Sequence, residues 1–136
     1  MKKEDLIFLQ AVFLVLCFQS CVRNTSVDNS GISADAASIA KGKAIFEQHC
    51  ISCHHSEKES KGPPLGGLTS VVPASWIKDF IKSPVAVIES GDERAQRLIV
   101  KYNELMPAFG QLSEDELNAV VSFLHTQKAT GQVTVK

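Results

Sequence analysis

The sequence predicts an all-α fold of three to five helices joined by long loops. Apolar residues recur at helical spacing in several segments, capping residues stand in front of some of them, and no run makes a convincing strand. The 136 residues suit one domain plus a targeting segment and leave no room for a second sizeable core. With 14 Lys and Arg against 15 Asp and Glu, the chain lacks the basic balance of a dedicated nucleic-acid binder. A composition of 44% apolar and 21% charged residues excludes disorder along the whole length.

The amino terminus comes first. Lys2 and Lys3 precede an apolar run from Leu6 to Phe18 that only Gln10 interrupts. Thirteen residues of helix reach ~20 Å, short of the ~30 Å hydrocarbon core, so residues 1–20 read as an export signal and not as a span. Ser20-Cys21 resembles a bacterial lipoprotein cleavage site, at which the cysteine takes lipid and anchors the chain to a membrane. An ordinary cleaved signal and an uncleaved anchor are the alternatives. All three place the domain outside the cytoplasm, in the periplasm or cell envelope. Residues 21–34 are polar (Asn24, Thr25, Ser26, Asp28, Asn29, Ser30) and read as a flexible tether. The domain itself is expected over 35–130, followed by a tail at 131–136.

The first helix is expected from about Ala36 to Cys50, capped by Asp35 or Ser33, with Ile39, Gly42, Ile45 and Phe46 at helical spacing. A second spans about Trp76 to Lys82, with Ser75 as N-cap and Ser83-Pro84 as its end. A third covers about Asp92 to Tyr102. The last has the clearest start: Ser113 and Glu116 form a capping box, with Leu112 and Leu117 as its hydrophobic staple. Leu117, Val120, Val121 and Leu124 then make an i, i+3, i+4, i+7 stripe reaching about Gln127. Gly62-Pro63-Pro64, Gly66-Gly67 and Met106-Pro107 mark the loops, which are long enough to need something to wrap around.

The chemistry lies in Cys50-Ile51-Ser52-Cys53-His54, the C-x-x-C-H pattern of covalent haem attachment. Two thiols spaced this way add across the two vinyl groups at one edge of the porphyrin, and His54 becomes the proximal iron ligand. Other readings are weaker. A thioredoxin-like pair lacks a preceding βαβ pattern, and a zinc site lacks both a second cysteine pair and finger-like spacing of His49, His55 and His125. A plain disulfide leaves His54 without a role. The three remaining histidines read as surface residues.

With these residues in place, about residues 36–128 resemble the class I (mono-haem) cytochrome c family. Gly42 and Phe46 match the small and aromatic positions of that family's first helix, and Phe123-Leu124 the pair that packs on it. The resemblance implies one covalently bound haem c. It also implies that the Pro63 carbonyl accepts a hydrogen bond from the ring of His54, making the other ring nitrogen a better iron donor. Met106, the only methionine after Met1, lies in Leu105-Met106-Pro107 before the last helix, where the family places its distal ligand. Trp76 either touches a haem propionate or packs against the ring. Lys58, Lys61, Lys78 and Lys82 alternate with Glu57, Glu59 and Asp79 and read as scattered solvated charge.

Two axial ligands leave iron no open position for a substrate. The implied function is electron transfer between membrane or periplasmic redox proteins, by a monomer that is not itself an enzyme. A ligand-binding sensor or peroxidase-like enzyme with a displaceable Met106, and a fixed electron-transfer subunit of an oxidase or reductase, are the alternatives. Cys17 leaves with the signal, Cys21 takes lipid, and Cys50 and Cys53 take haem. No disulfide remains to staple so small a domain, so covalent haem is expected at the centre of its core.

Overall fold

The computed structural model describes residues 27–129. Its elements in chain order are α1 (Ala36–His49), a 3₁₀ turn (Leu68–Ser70), α2 (Ala74–Lys82), α3 (Pro84–Glu89), α4 (Glu93–Tyr102) and α5 (Glu114–Thr126). No strand occurs among the described residues, so the fold is all-α as expected. No helix among them is long and apolar enough to cross a membrane.

The pairing of α1 with α5 organises the rest. Asp35 caps α1 by accepting the Ser38 N–H at 2.9 Å, and Ser113 and Glu116 form the expected capping box on α5. The two helices then meet backbone to backbone at Gly42. A β-carbon there would lie 1.9 Å from the Ala119 carbonyl oxygen, so only glycine permits this crossing. One turn on, the Phe46 and Phe123 rings pack tilted, with centroids 5.3 Å apart. Phe46, Val72, Ala74, Ile77, Val120, Val121 and Leu124 form the buried cluster. Phe46, Ile77, Val120 and Leu124 of this cluster also border the cavity described below.

Three local expectations change. Helix α2 begins at Ala74 and not Trp76, and its cap is Pro73, so Ser75 is inside the helix. Its first N–H, on Ala74, is satisfied by the Asp28 carbonyl at 2.9 Å, a partner far off in sequence. Pro84 does end α2, but it also opens α3 from the first helical position, where its missing N–H costs nothing. Residues 27–34, expected as the end of a flexible tether, lie on the body instead. Ile32 packs against the core cluster, and the Ser33 N–H donates to Oγ of the buried Ser122 at 2.8 Å. The export signal, Cys21, residues 21–26 of the tether, Thr130 and the 131–136 tail lie outside the described residues.

Candidate functional site

Helix α1 ends where the C-x-x-C-H motif begins. Cys50 is its C-cap, and its N–H donates to the Phe46 carbonyl. The Cys50 carbonyl then accepts the N–H of Cys53 at 3.1 Å and of His54 at 2.9 Å. The motif is thereby wound into one tight turn that presents both sulfurs and the imidazole together. Cys50 and Cys53 are half-buried free thiols, with the Ser52 hydroxyl 3.6 Å from the Cys53 sulfur. Burial, and to a lesser degree Cys53, push the Cys50 thiol up to about 11, so it is neutral at pH 7.

The chain next folds back on the imidazole. The Gly62 N–H donates to the Cys53 carbonyl at 3.0 Å, laying the Gly62 backbone against the ring: a β-carbon there would sit 2.4 Å from His54 Cε1. The Pro63 carbonyl lies 3.0 Å from His54 Nδ1. A carbonyl oxygen can only accept, so Nδ1 is the donor, and in the neutral ring this leaves the Nε2 lone pair for a metal. Two further bonds, Leu65 N–H to the His55 carbonyl and Gly66 N–H to the Ser56 carbonyl, zip the hook closed. The end of α5 holds it from outside, through Gly67 N–H to the Gln127 carbonyl and Ser56 Oγ to Gln127 Oε1.

Cys50, His54, Pro63 and Met106 all border one cavity of about 1380 Å³, together with core-side residues such as Phe46 and Leu124. Pockets for ordinary small ligands run to ~300–1,000 Å³. Interiors are otherwise close-packed, so an apolar space of this size calls for a large apolar occupant. Cys50, the His54 imidazole and Met106 on the same cavity, with Cys53 beside them in the same tight turn, are a donor set that fits haem.

Other residues are placed differently from expectation. The Trp76 indole N–H donates to Asp92 Oδ2 at 3.1 Å, its ring stacks on Phe80 at 4.8 Å, and the Arg94 guanidinium lies over it. Its one donor is therefore committed to Asp92, while the side chain still borders the cavity. His125 is exposed, as expected, yet its Nδ1 lies 2.9 Å from the hydroxyl of the buried Thr69. His49 and His55 are half-buried, and His49 packs against the Phe109 ring at 5.6 Å. Lys78 and Lys82 both reach Glu114 on α5, which makes them an inter-helix pair and not scattered charge. None of these pairings has a signal in local sequence.

Similarity to known proteins agrees with this site. The family model for cytochrome c matches residues 39–128. Cytochrome c6 of Synechocystis sp. is 29% identical over 106 residues, covering 74% of this chain and 75% of that one. Photosystem II extrinsic protein V of Cyanidioschyzon merolae is 26% identical over 109 residues, covering 74% and 73%. Cytochrome c-554(547) of Halothiobacillus neapolitanus is 28% identical over 99 residues, covering 68% of this chain and all of that one. Among solved structures, cytochrome c from Rhodothermus marinus superposes with a TM-score of 0.62 at 24% identity, covering 68% and 78%, a likeness of fold. The model match spans about two thirds of the chain, which therefore belongs to the cytochrome c family and carries covalently bound haem c.

Proposed function

We propose that this protein is an electron carrier that exchanges single electrons with membrane or periplasmic redox partners. The observation that carries the reading is the bond from His54 Nδ1 to the Pro63 carbonyl, on the same cavity as Met106. Bound haem supplies one-electron Fe(III)/Fe(II) chemistry. Cys50 and Cys53 hold it through thioethers. His54 offers Nε2 as the proximal donor, and its N–H on Pro63 fixes the ring and raises its basicity. Met106 offers a soft, neutral sulfur from the other side, which favours the reduced state. Phe46, Leu65, Ile77 and Leu124 exclude water and disfavour the extra charge of the oxidised state. With His54 and Met106 both supplied by the chain as donors, little would have to rearrange when the charge changes.

Residues 1–20 act as an export signal, Cys21 takes lipid, and the domain works as a monomer at the outer face of a membrane. The basic start, the apolar run of thirteen residues and Ser20-Cys21 support this. Because residues 27–34 rest on the body, six residues, 21–26, separate the proposed anchor from the domain, a reach of at most ~20 Å. A second reading, a fixed subunit of a larger redox complex, is favoured by two relatives named photosystem II extrinsic protein V. Purification in mild detergent separates the two: a carrier elutes alone, a subunit with its complex.

A spectroelectrochemical titration of the purified holoprotein tests the main reading. A reversible one-electron wave, with no binding of carbon monoxide to the reduced protein at neutral pH, is expected. A five-coordinate spectrum with fast carbon monoxide binding would instead indicate a sensor or peroxidase-like enzyme.

A further inference from the structure

The two sides of the cavity are joined at its mouth by one cluster. Glu59 lies in the loop between His54 and Pro63, and its Oε1 accepts from both Lys101 Nζ and the Tyr102 hydroxyl, the latter at 3.1 Å. Lys101 and Tyr102 are the last two residues of α4, and all three side chains border the cavity. Tyr102 is half-buried and stands four residues before Met106. Beyond it, Asn103 turns the chain through a left-handed conformation at φ 50°. Among the described residues, 104–108 make no backbone–backbone hydrogen bond, and the next anchor is the Phe109 N–H on the Ile81 carbonyl at 2.9 Å. The stretch bearing Met106 therefore hangs between two fixed points. One is Phe109. The other is the end of α4, where the Asn103 N–H donates to the Ile99 carbonyl at 2.9 Å and the Glu59 cluster ties Lys101 and Tyr102 to the loop behind His54.

We infer that Glu59 is a positioning residue for Met106: by gripping Lys101 and Tyr102 it holds the start of the distal segment at the cavity and slows departure of the methionine sulfur. This rests on the reading of His54 and Met106 as the axial donors. It extends that reading, because it assigns control of distal opening to a carboxylate on the proximal loop. The two donors are separable. Gln at position 59 still accepts from the Tyr102 hydroxyl but offers no charge to Lys101, and Ala loses both. Phe at position 102 removes one donor and keeps the ring.

The test measures the rate of cyanide binding to the oxidised holoprotein, which requires Met106 to leave, in wild type, Glu59→Gln, Glu59→Ala and Tyr102→Phe. Thermal midpoint, covalent haem content and the methionine-to-iron charge-transfer band are recorded alongside. Loss of one or two exposed contacts of this kind corresponds to roughly 3- to 10-fold in an opening equilibrium. Glu59→Ala is therefore expected to bind cyanide roughly 3- to 10-fold faster, with Glu59→Gln and Tyr102→Phe in between and covalent haem unchanged. A wild-type rate in Glu59→Ala, whatever its thermal midpoint, overturns the inference while leaving the axial reading intact. Absence of the charge-transfer band from wild type overturns both.

Discussion

The two sides of the cavity are built by opposite means. On the His54 side the backbone does the work: Cys53, His54, Gly62, Leu65, Gly66 and Gly67 each spend their N–H on a carbonyl within the hook or on the end of α5. Among the described residues, the Met106 side has no such ladder between Asn103 and Phe109. Geometry on the His54 side is thus held by backbone bonds along the hook, whereas the Met106 stretch is held at its two ends. The difference implies that chemistry needing an open iron position would begin on the methionine side.

The largest expected effect comes from cutting the proximal attachment. Replacing Cys50 and Cys53 together with Ala leaves the cavity without a covalently held occupant. Haem staining after denaturing electrophoresis is expected to vanish, and the chain to fold poorly. Normal staining would refute attachment at these sulfurs.

Next is Gly62→Ala, which tests whether the hook is as rigid as its bonds imply. The added carbon meets the His54 ring at 2.4 Å, and the ring is pinned by Pro63. Thioethers should still form, with a loss of about 1–3 kcal/mol in stability and an altered oxidised-state spectrum. A variant indistinguishable from wild type would mean that the hook yields and that the contrast between the two sides is overstated.

Met106→Ala probes the other side. Covalent haem and fold should survive, while the potential falls by ~0.2 V, inside the ~0.8 V range that axial ligands command, and the reduced protein begins to bind carbon monoxide. An unchanged spectrum would assign the distal position to another residue.

The smallest effect is expected at Asp92, which joins α2 to α4. Its carboxylate accepts the Ala95 N–H at 2.8 Å as N-cap and the Trp76 indole at 3.1 Å. These bonds, the Ala95 N–H foremost, hold it below its ordinary value of 3.8. A carboxyl whose folded value is depressed stabilises the protein above its unfolded value, and the contribution fades as pH falls through the folded value. Asp92→Ala should therefore cost about 1 kcal/mol near neutrality, with the gap to wild type narrowing below about pH 3.8. Thermal unfolding across pH 2.5–7 measures both.

What was legible in the sequence followed from how locally each feature is determined. The starts of α1 and α5 are set by Asp35, and by Ser113 with Glu116, within one turn of the residues they cap, and they fall where expected. The C-x-x-C-H turn was legible for the same reason, whereas the glycine at the α1–α5 crossing, which meets Ala119 far off in sequence, was legible only through the resemblance to the cytochrome c family. The start of α2 was not, because its first N–H is satisfied by Asp28. Nor was α3, since Pro84 serves both as terminator and first residue. The bonds of Trp76 to Asp92, Thr69 to His125 and Glu59 to Tyr102 join residues 16, 56 and 43 apart, which no spacing rule reaches.

The central claim is that the chain itself supplies both axial donors, one locked and one suspended. Proton NMR of the reduced holoprotein addresses it directly. A coordinated Met106 lies under the ring current, so its methyl resonance should appear far upfield and disappear in Met106→Ala, while the His54 ring signals remain. A wild-type spectrum with no upfield methyl, or one that Met106→Ala leaves unchanged, would contradict it.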